Sequence, residues 1–185
     1  YHIDGFRFDL MGVLDIETLN EARKALLKIN PDIIMYGEGW TGGESTLPES
    51  ERGMKINAPR TPGIGMFSDD IRDAVKGHVF YMDELGFVNG AADRGEELKQ
   101  AVTCAKWAKS PMQSINYLSC HDNYTLWDRF IISNSHESEE MRIRMNKLAA
   151  AILFTAQGIT FFLHGEEFAR TKISDCLLYT FDAAD

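Results

Sequence analysis

The stretch "HIDGFRFDLMG", residues 2–12, decides the fold assignment because it places charged residues inside an otherwise apolar strand pattern. Its side chains alternate, with Phe6 and Phe8 on one face and Arg7 and Asp9 on the other. A β-strand has this period of two. The sequence therefore predicts a strand with a polar face at this position.

A helix and a second strand are predicted directly after this stretch. Asp15 has the side chain of an N-cap, and apolar residues recur at helical spacing as far as Ile29, where Asn30 and Pro31 end the pattern. The run "DIIMYGEGW", residues 32–40, is apolar and ends in glycines and a glutamate. It predicts a strand that is buried on both faces.

The rest of the chain continues the alternation of strands and helices. Residues 41–66 are rich in Gly, Pro, Ser and Thr and predict a long loop. Further helices are predicted at residues 68–77, 94–109 and 138–157, and further strands in "SINYLSCHDN" and "ITFFLHGEE" at residues 114–123 and 159–167. Strands that alternate with helices predict parallel pairing and right-handed crossovers, which is an α/β fold.

Composition excludes several classes of protein. The 185 residues carry a net charge of −9, which disfavours nucleic acid as a partner. The longest apolar-rich run, Leu148 to Leu163, is shorter than the roughly 20 residues of a membrane span, so none is predicted. The three cysteines lack metal-ligand spacing. We therefore expect no metal and no cofactor.

Carboxylates collect where the predicted strands end, and their spacing suits one reaction. Retaining glycoside hydrolysis needs a nucleophilic carboxylate and a carboxylic acid roughly 5 Å apart. Asp9 and Glu38 follow neighbouring strands, which lie about 4.8 Å apart. We expect Arg7 to keep Asp9 ionised and Trp40 to give Glu38 an apolar wall that favours the protonated acid.

Three motifs carry a resemblance to a known family. "DGFRFD", "YGEGW" and "YLSCHDN" resemble the second, third and fourth signature regions of the α-amylase superfamily, glycoside hydrolase family 13, in the same order. "GFRFDLMG", "GIGMFSDDIRDAVKG" and "HDNYTLWD" are similar to type I pullulanases, which cleave α-1,6 branch linkages. The resemblance implies a partial (β/α)8 TIM barrel that comprises strands four to eight.

The resemblance also implies roles for individual residues. Asp9 is expected to be the nucleophile, Glu38 the acid/base, and Asp122 the carboxylate that stabilises the transition state through sugar hydroxyls. The expected substrate-binding residues are Arg7, Trp40, His121 and Asn123. His164, Glu166 and Glu167, at the end of the predicted last strand, resemble the family's final strand, but no catalytic role is assigned to them.

The implied function is hydrolysis of α-1,6-glucosidic branches in pullulan, limit dextrins or related α-glucans, with an α-glucan polysaccharide or oligosaccharide as the partner. Two alternatives remain open. One is a superfamily hydrolase or transglycosylase that acts on α-1,4-glucans, and the other is a non-catalytic carbohydrate-binding relative.

The sequence departs from the family pattern at both ends. The family's first signature region, with its substrate-binding histidine, is absent, so we expect residues 1–172 to be the C-terminal part of a catalytic barrel. Such a piece would need the missing N-terminal region as its partner and would be inactive alone. Residues 173–185, "ISDCLLYTFDAAD", do not resemble the family and are expected to be a sequencing artefact or a divergent strand.

Overall fold

The computed structural model describes residues 2–172, which contain five strands and five α-helices. The strands are β1 (Gly5–Phe8), β2 (Ile34–Gly37), β3 (Gly65–Ser68), β4 (Ser114–Asn116) and β5 (Ile159–Thr160). The helices are α1 (Ile16–Leu26), α2 (Asp69–Lys76), α3 (Gly95–Val102), α4 (Leu126–Ser133) and α5 (Glu139–Thr155). The expectations for residues 173–185 lie outside the described residues.

The strand order distinguishes between the two common α/β architectures. The sheet has the order β1-β2-β3-β4-β5, the same as the order along the chain. β1 pairs with β2 and β2 pairs with β3, both in parallel. A doubly wound sheet reverses its strand order at a switch point, whereas a (β/α)8 barrel keeps the chain order. The predicted α/β fold with part of a TIM barrel is confirmed.

The chain divides into two compact units, and the first contains the residues up to Phe67 together with Cys104–Ile115. Asp15 caps α1 as predicted, because its Oδ1 accepts a hydrogen bond from the Thr18 N–H at 2.7 Å. The core of this unit is formed by Met11, Leu19, Met35, Ala58, Ile64 and Met66. This core supports the ends of β1 and β2.

The second unit contains Ser68–Thr103 and the residues from Asn116 onward. Gly77 ends α2 with a φ of 86°, a backbone conformation that favours glycine. Ser138 caps α5, because its side chain accepts a hydrogen bond from the Met141 N–H. Its core residues come from α2, α3, α4 and α5 and include Ile71, Val75, Leu98, Phe130, Ala149 and Leu153.

Several predicted boundaries are wrong. α1 ends at Leu26, before the predicted end at Asn30. Ile29 therefore lies after the helix and is 83% exposed. β2 is not buried on both faces, since Ile34 is exposed while Met35 is buried. α3 ends at Val102 instead of Lys109, because Cys104 has a φ of 119° that a helix cannot contain.

Two elements were not predicted. β3 lies at the end of the segment predicted as a loop, and all four of its residues are buried, so they show no alternation of apolar and polar side chains. α4 follows the "HDN" motif and is capped by Thr125, whose side chain accepts a hydrogen bond from the Asp128 N–H at 3.1 Å. Among residues 2–172, no helix is long and apolar enough to cross a membrane.

Candidate active site

Two carboxylates of the first unit occupy equivalent positions on neighbouring parallel strands. Phe8 lies opposite Gly37 in the register, and the Glu38 N–H donates to the Phe8 carbonyl at 3.1 Å. Asp9 and Glu38 are the next residue of each strand, so they leave the sheet at the same edge. Parallel strands present their carboxyl ends at the edge where α/β barrels hold their active sites.

Arg7 connects the two carboxylates. Its Nη1 donates to Asp9 Oδ1 at 2.5 Å and its Nη2 donates to Glu38 Oε1 at 2.8 Å. The planar guanidinium has a fixed fork of donors, which suits simultaneous binding of two oxygens. The Asp9 side chain is 69% exposed and the Glu38 side chain is 7% exposed. Arg7 thus aligns one accessible carboxylate and one buried carboxylate.

Glu38 is held at its other oxygen by the main chain. The Leu10 N–H donates to Glu38 Oε2 at 2.8 Å. Leu10 has φ 41° and ψ 48°, a left-handed conformation that a large side chain adopts at an energetic cost and that clusters at functional sites. This conformation turns the Leu10 amide toward Glu38.

The surroundings of Glu38 differ from the prediction. We expected an apolar wall, and the side chain is indeed buried, but both of its oxygens accept N–H donors. The difference arises because Arg7 reaches across to β2 as well as to Asp9. The contribution of Leu10 was missed, since its sequence position indicates only an apolar strand residue.

Gly37 allows the two strand ends to approach closely. A Cβ atom at Gly37 would lie 2.6 Å from the Phe8 carbonyl oxygen and 2.9 Å from the Phe8 Cβ. Backbone at this distance cannot yield as a flexible side chain would. Gly37 therefore helps to fix the spacing of the residues that carry Asp9 and Glu38.

Trp40 lies two residues beyond Glu38 and is half-buried. The Lys55 Nζ lies 5.6 Å from the centroid of its ring, a cation–π distance. The Lys55 N–H also donates to the Gly39 carbonyl at 3.0 Å. Lys55 therefore contacts both the Trp40 ring and the main chain that follows Glu38.

The second unit carries the "HDN" motif on the turn after β4. His121 Nε2 lies 3.5 Å from Asp122 Oδ1, and the Cys120 Sγ lies 3.1 Å from His121 Nδ1. Asp122 Oδ1 is buried and accepts no hydrogen bond within residues 2–172. Asn123 has a φ of 61°, which completes the turn.

The segment predicted as the last strand contains a buried carboxylate, Glu166. Ser119 Oγ donates to Glu166 Oε1, and the Leu163 N–H donates to Glu166 Oε2 at 3.3 Å. Burial raises the pKa of Glu166, and the hydrogen bond from Ser119 opposes that shift. Glu166 joins the segments that follow β4 and β5, which is a structural role.

Comparison with known proteins identifies relatives of the chain. A pullulanase of Bacillus subtilis (strain 168) is 40% identical over 179 residues, covering 93% of this chain and 25% of the relative. The structure of an Anoxybacillus sp. LM18-11 pullulanase complexed with maltotetraose superposes with a TM-score of 0.88 at 46% identity, covering 91% of this chain and 25% of that chain. The chain is therefore a relative of pullulanases over most of its own length.

A second pullulanase structure agrees with this relationship. The Paenibacillus barengoltzii pullulanase, in complex with maltohexaose and α-cyclodextrin, is 48% identical with a TM-score of 0.87 and matches 93% of this chain. This match covers 28% of that pullulanase. The chain thus spans about a quarter of the length of the pullulanases that it matches. No protein-family model matches it.

Proposed function

We propose that this pullulanase relative carries the catalytic carboxylates of a retaining glycoside hydrolase that cleaves α-1,6-glucosidic branches in pullulan, limit dextrins or related α-glucans. The observation that supports this most strongly is the Arg7 guanidinium, which contacts both Asp9 and Glu38 at the carboxyl ends of adjacent strands. The relationship to pullulanases supports the choice of α-1,6 linkages.

In the first step, the accessible Asp9 carboxylate attacks the anomeric carbon of the sugar. Its bond to that carbon forms as the glycosidic bond breaks, and Glu38 transfers its proton to the departing glycosidic oxygen. Arg7 keeps Asp9 aligned for attack. We assign Asp122 to hydrogen bonds with the sugar hydroxyls, His121 and Asn123 to substrate binding, and Trp40 to stacking against a sugar ring.

In the second step, Glu38 removes a proton from water and the water oxygen attacks the same anomeric carbon. The ester bond to Asp9 breaks and the carboxylate is restored. Two displacements at one carbon leave the product with the anomeric configuration of the substrate. Proton NMR of the first product released from pullulan should therefore show the α-anomer, and initial release of the β-anomer would contradict the retaining mechanism.

Substitution of the carboxylates tests the proposal in the full-length gene product, the complete open reading frame in which this sequence lies. Asp9→Asn should abolish reducing-sugar release from pullulan, and Glu38→Gln should reduce kcat by about 10³-fold. Asp122→Asn should also lower kcat strongly. Glu140→Gln, on an exposed residue of α5, is the matched control and should leave kcat unchanged.

Parallel assays on pullulan and amylose separate the proposed activity from the alternatives. Cleavage of pullulan in preference to amylose is the expected result. Cleavage of amylose alone would replace debranching with an α-1,4 activity. Binding of maltotriose without cleavage of either polymer would indicate a non-catalytic carbohydrate-binding relative.

A further inference from the structure

We infer that Lys172 is a positioning residue that holds the "HDN" turn, residues 121–123, in the backbone conformation that aims Asp122. This inference rests on the proposed function, because Asp122 is assigned there as a carboxylate that contacts the sugar. Lys172 lies about 50 residues from the turn in sequence, and no motif connects them.

The Lys172 ammonium binds the main chain on both sides of Asp122. Its Nζ donates to the His121 carbonyl at 2.6 Å and to the Asn123 carbonyl at 2.6 Å. The lysine is 3% exposed. Because the two carbonyls belong to the residues that flank Asp122, this one group fixes the orientation of both peptide units next to it. Asn123 holds a positive φ at the same place.

Lys172 is itself attached to the helix that follows the turn. Its N–H donates to Asp128 Oδ2 at 2.7 Å, and Thr171 Oγ1 donates to Asp128 Oδ1. Asp128 is buried in the first turn of α4, and Thr125 caps that turn by accepting from the Asp128 N–H. Residues 171–172 are therefore hydrogen-bonded both to the turn and to the first turn of α4.

The cost of burying a charged group indicates that the lysine at position 172 is needed for its hydrogen bonds. A buried ammonium is costly unless its donors are satisfied, and an apolar side chain would fill the same space at lower cost. Hydrogen bonds from a charged donor are roughly twice as strong as neutral ones. Asp122 Oδ1 accepts no hydrogen bond within the described residues, and the His121 Nε2 that lies 3.5 Å from it belongs to the same turn, so the backbone of the turn determines where this carboxylate points.

Hydrogen exchange tests the contact without relying on activity. In the full-length gene product, Lys172→Met should increase deuterium uptake several-fold in the peptide covering residues 119–127, because the peptide units on both sides of Asp122 lose the contact that restrains them and their N–H groups open to solvent more often. Lys76→Met is the matched control, since it removes another buried lysine of the same unit. Unchanged uptake in Lys172→Met would overturn the inference, whether or not the protein cleaves pullulan.

Kinetics test whether the contact acts through Asp122. Lys172→Met should lower kcat on pullulan by about 10²-fold with a smaller change in KM, as expected for a misplaced catalytic group. Lys172→Arg should recover part of that loss, because a guanidinium also donates to two carbonyls. Lys76→Met should keep the wild-type kcat.

A double-mutant cycle separates positioning from general damage. In an Asp122→Asn background, Lys172→Met should lower the residual kcat by less than threefold, because the carboxylate that Lys172 positions has already been removed. A loss of the full 10²-fold in both backgrounds would overturn the inference and assign Lys172 to stability alone. A wild-type protein that fails to cleave pullulan would contradict the proposed function instead. The hydrogen-exchange result would still show whether Lys172 restrains the turn.

Discussion

The Arg7 guanidinium donates to Glu38 across the ends of two parallel strands, with Nη2 2.8 Å from Oε1. The same guanidinium donates through Nη1 to Asp9. Its centre also lies 5.8 Å from the centroid of the Phe67 ring. Arg7 is therefore fixed by its neighbours and sets the separation of the two carboxylates that we assign to catalysis.

Arg7→Lys should lower kcat on pullulan by about 10²-fold although the positive charge is kept, because a single ammonium on a flexible stem cannot reproduce the two-armed contact. Steady-state kinetics of the full-length gene product measure this effect. Arg144→Lys changes an exposed arginine that pairs with Glu140 on α5 and should have no effect. Equal kcat for Arg7→Lys and wild type would show that the bridge is dispensable.

Gly37→Ala should reduce both kcat and stability, because the new Cβ meets the Phe8 backbone of β1. Overpacking of this kind costs about 1–3 kcal/mol. A Cβ at Gly43 meets nothing within 4 Å, so Gly43→Ala is the matched control and should match wild type in thermal melting and kcat. A fully active Gly37→Ala variant would refute the claim that close strand approach positions Glu38.

Trp40→Ala should raise KM for pullulan several-fold, and Trp40→Phe should recover part of that change because an aromatic face remains available to a sugar. Phe80→Ala serves as the control, since Phe80 is an exposed aromatic residue of the other unit. If Trp40→Ala alters melting temperature and leaves KM unchanged, Trp40 stabilises the fold and does not bind the sugar.

Lys76 makes stability depend on pH. Burial lowers the pKa of Lys76 from its usual 10.5 to about 7, and the nearby Arg72 cation adds to that shift. Between those two values the unfolded chain holds the proton and the folded chain does not, so stability rises with pH at up to about 1.4 kcal/mol per pH unit. Lys76→Met removes this contribution.

Thermal melting of wild type and Lys76→Met from pH 6 to pH 9.5 checks the sign of that linkage. The variant should be the more stable of the two at pH 6, and its advantage should shrink as pH rises. A difference in melting temperature that is the same at every pH would show that Lys76 stays charged in the folded protein.

The positions of Asp9 and Glu38 at the ends of paired strands could be predicted from the sequence because they depend on local patterns. The alternation around Arg7 and the glycines around Glu38 predict two strands, and parallel pairing then places their next residues at one edge. β3 was missed because all four of its residues are buried and show no alternating pattern, and α4 was missed because it directly follows the "HDN" motif, which was predicted to end a strand. In such segments, tertiary packing decides the structure more than local propensity does.

The contacts of Leu10 and Lys172 were beyond sequence reasoning for a different reason. Leu10 acts through its main-chain N–H, which reaches Glu38 only because of a left-handed backbone conformation. Lys172 lies two residues after Arg170, and charged residues at this spacing are typical of a segment that is exposed to solvent. Only the fold shows that Lys172 is buried against the carbonyls of His121 and Asn123.

Covalent trapping of the glycosyl-enzyme tests the central claim most directly. The full-length gene product is incubated with a 5-fluoro-α-maltosyl fluoride, which slows the second displacement, and its peptides are analysed by mass spectrometry. The account predicts one sugar attached to the peptide that contains Asp9, and none in Asp9→Asn. A sugar attached to Glu38 or Asp122, or continued hydrolysis of pullulan by Asp9→Asn at the wild-type rate, would contradict it.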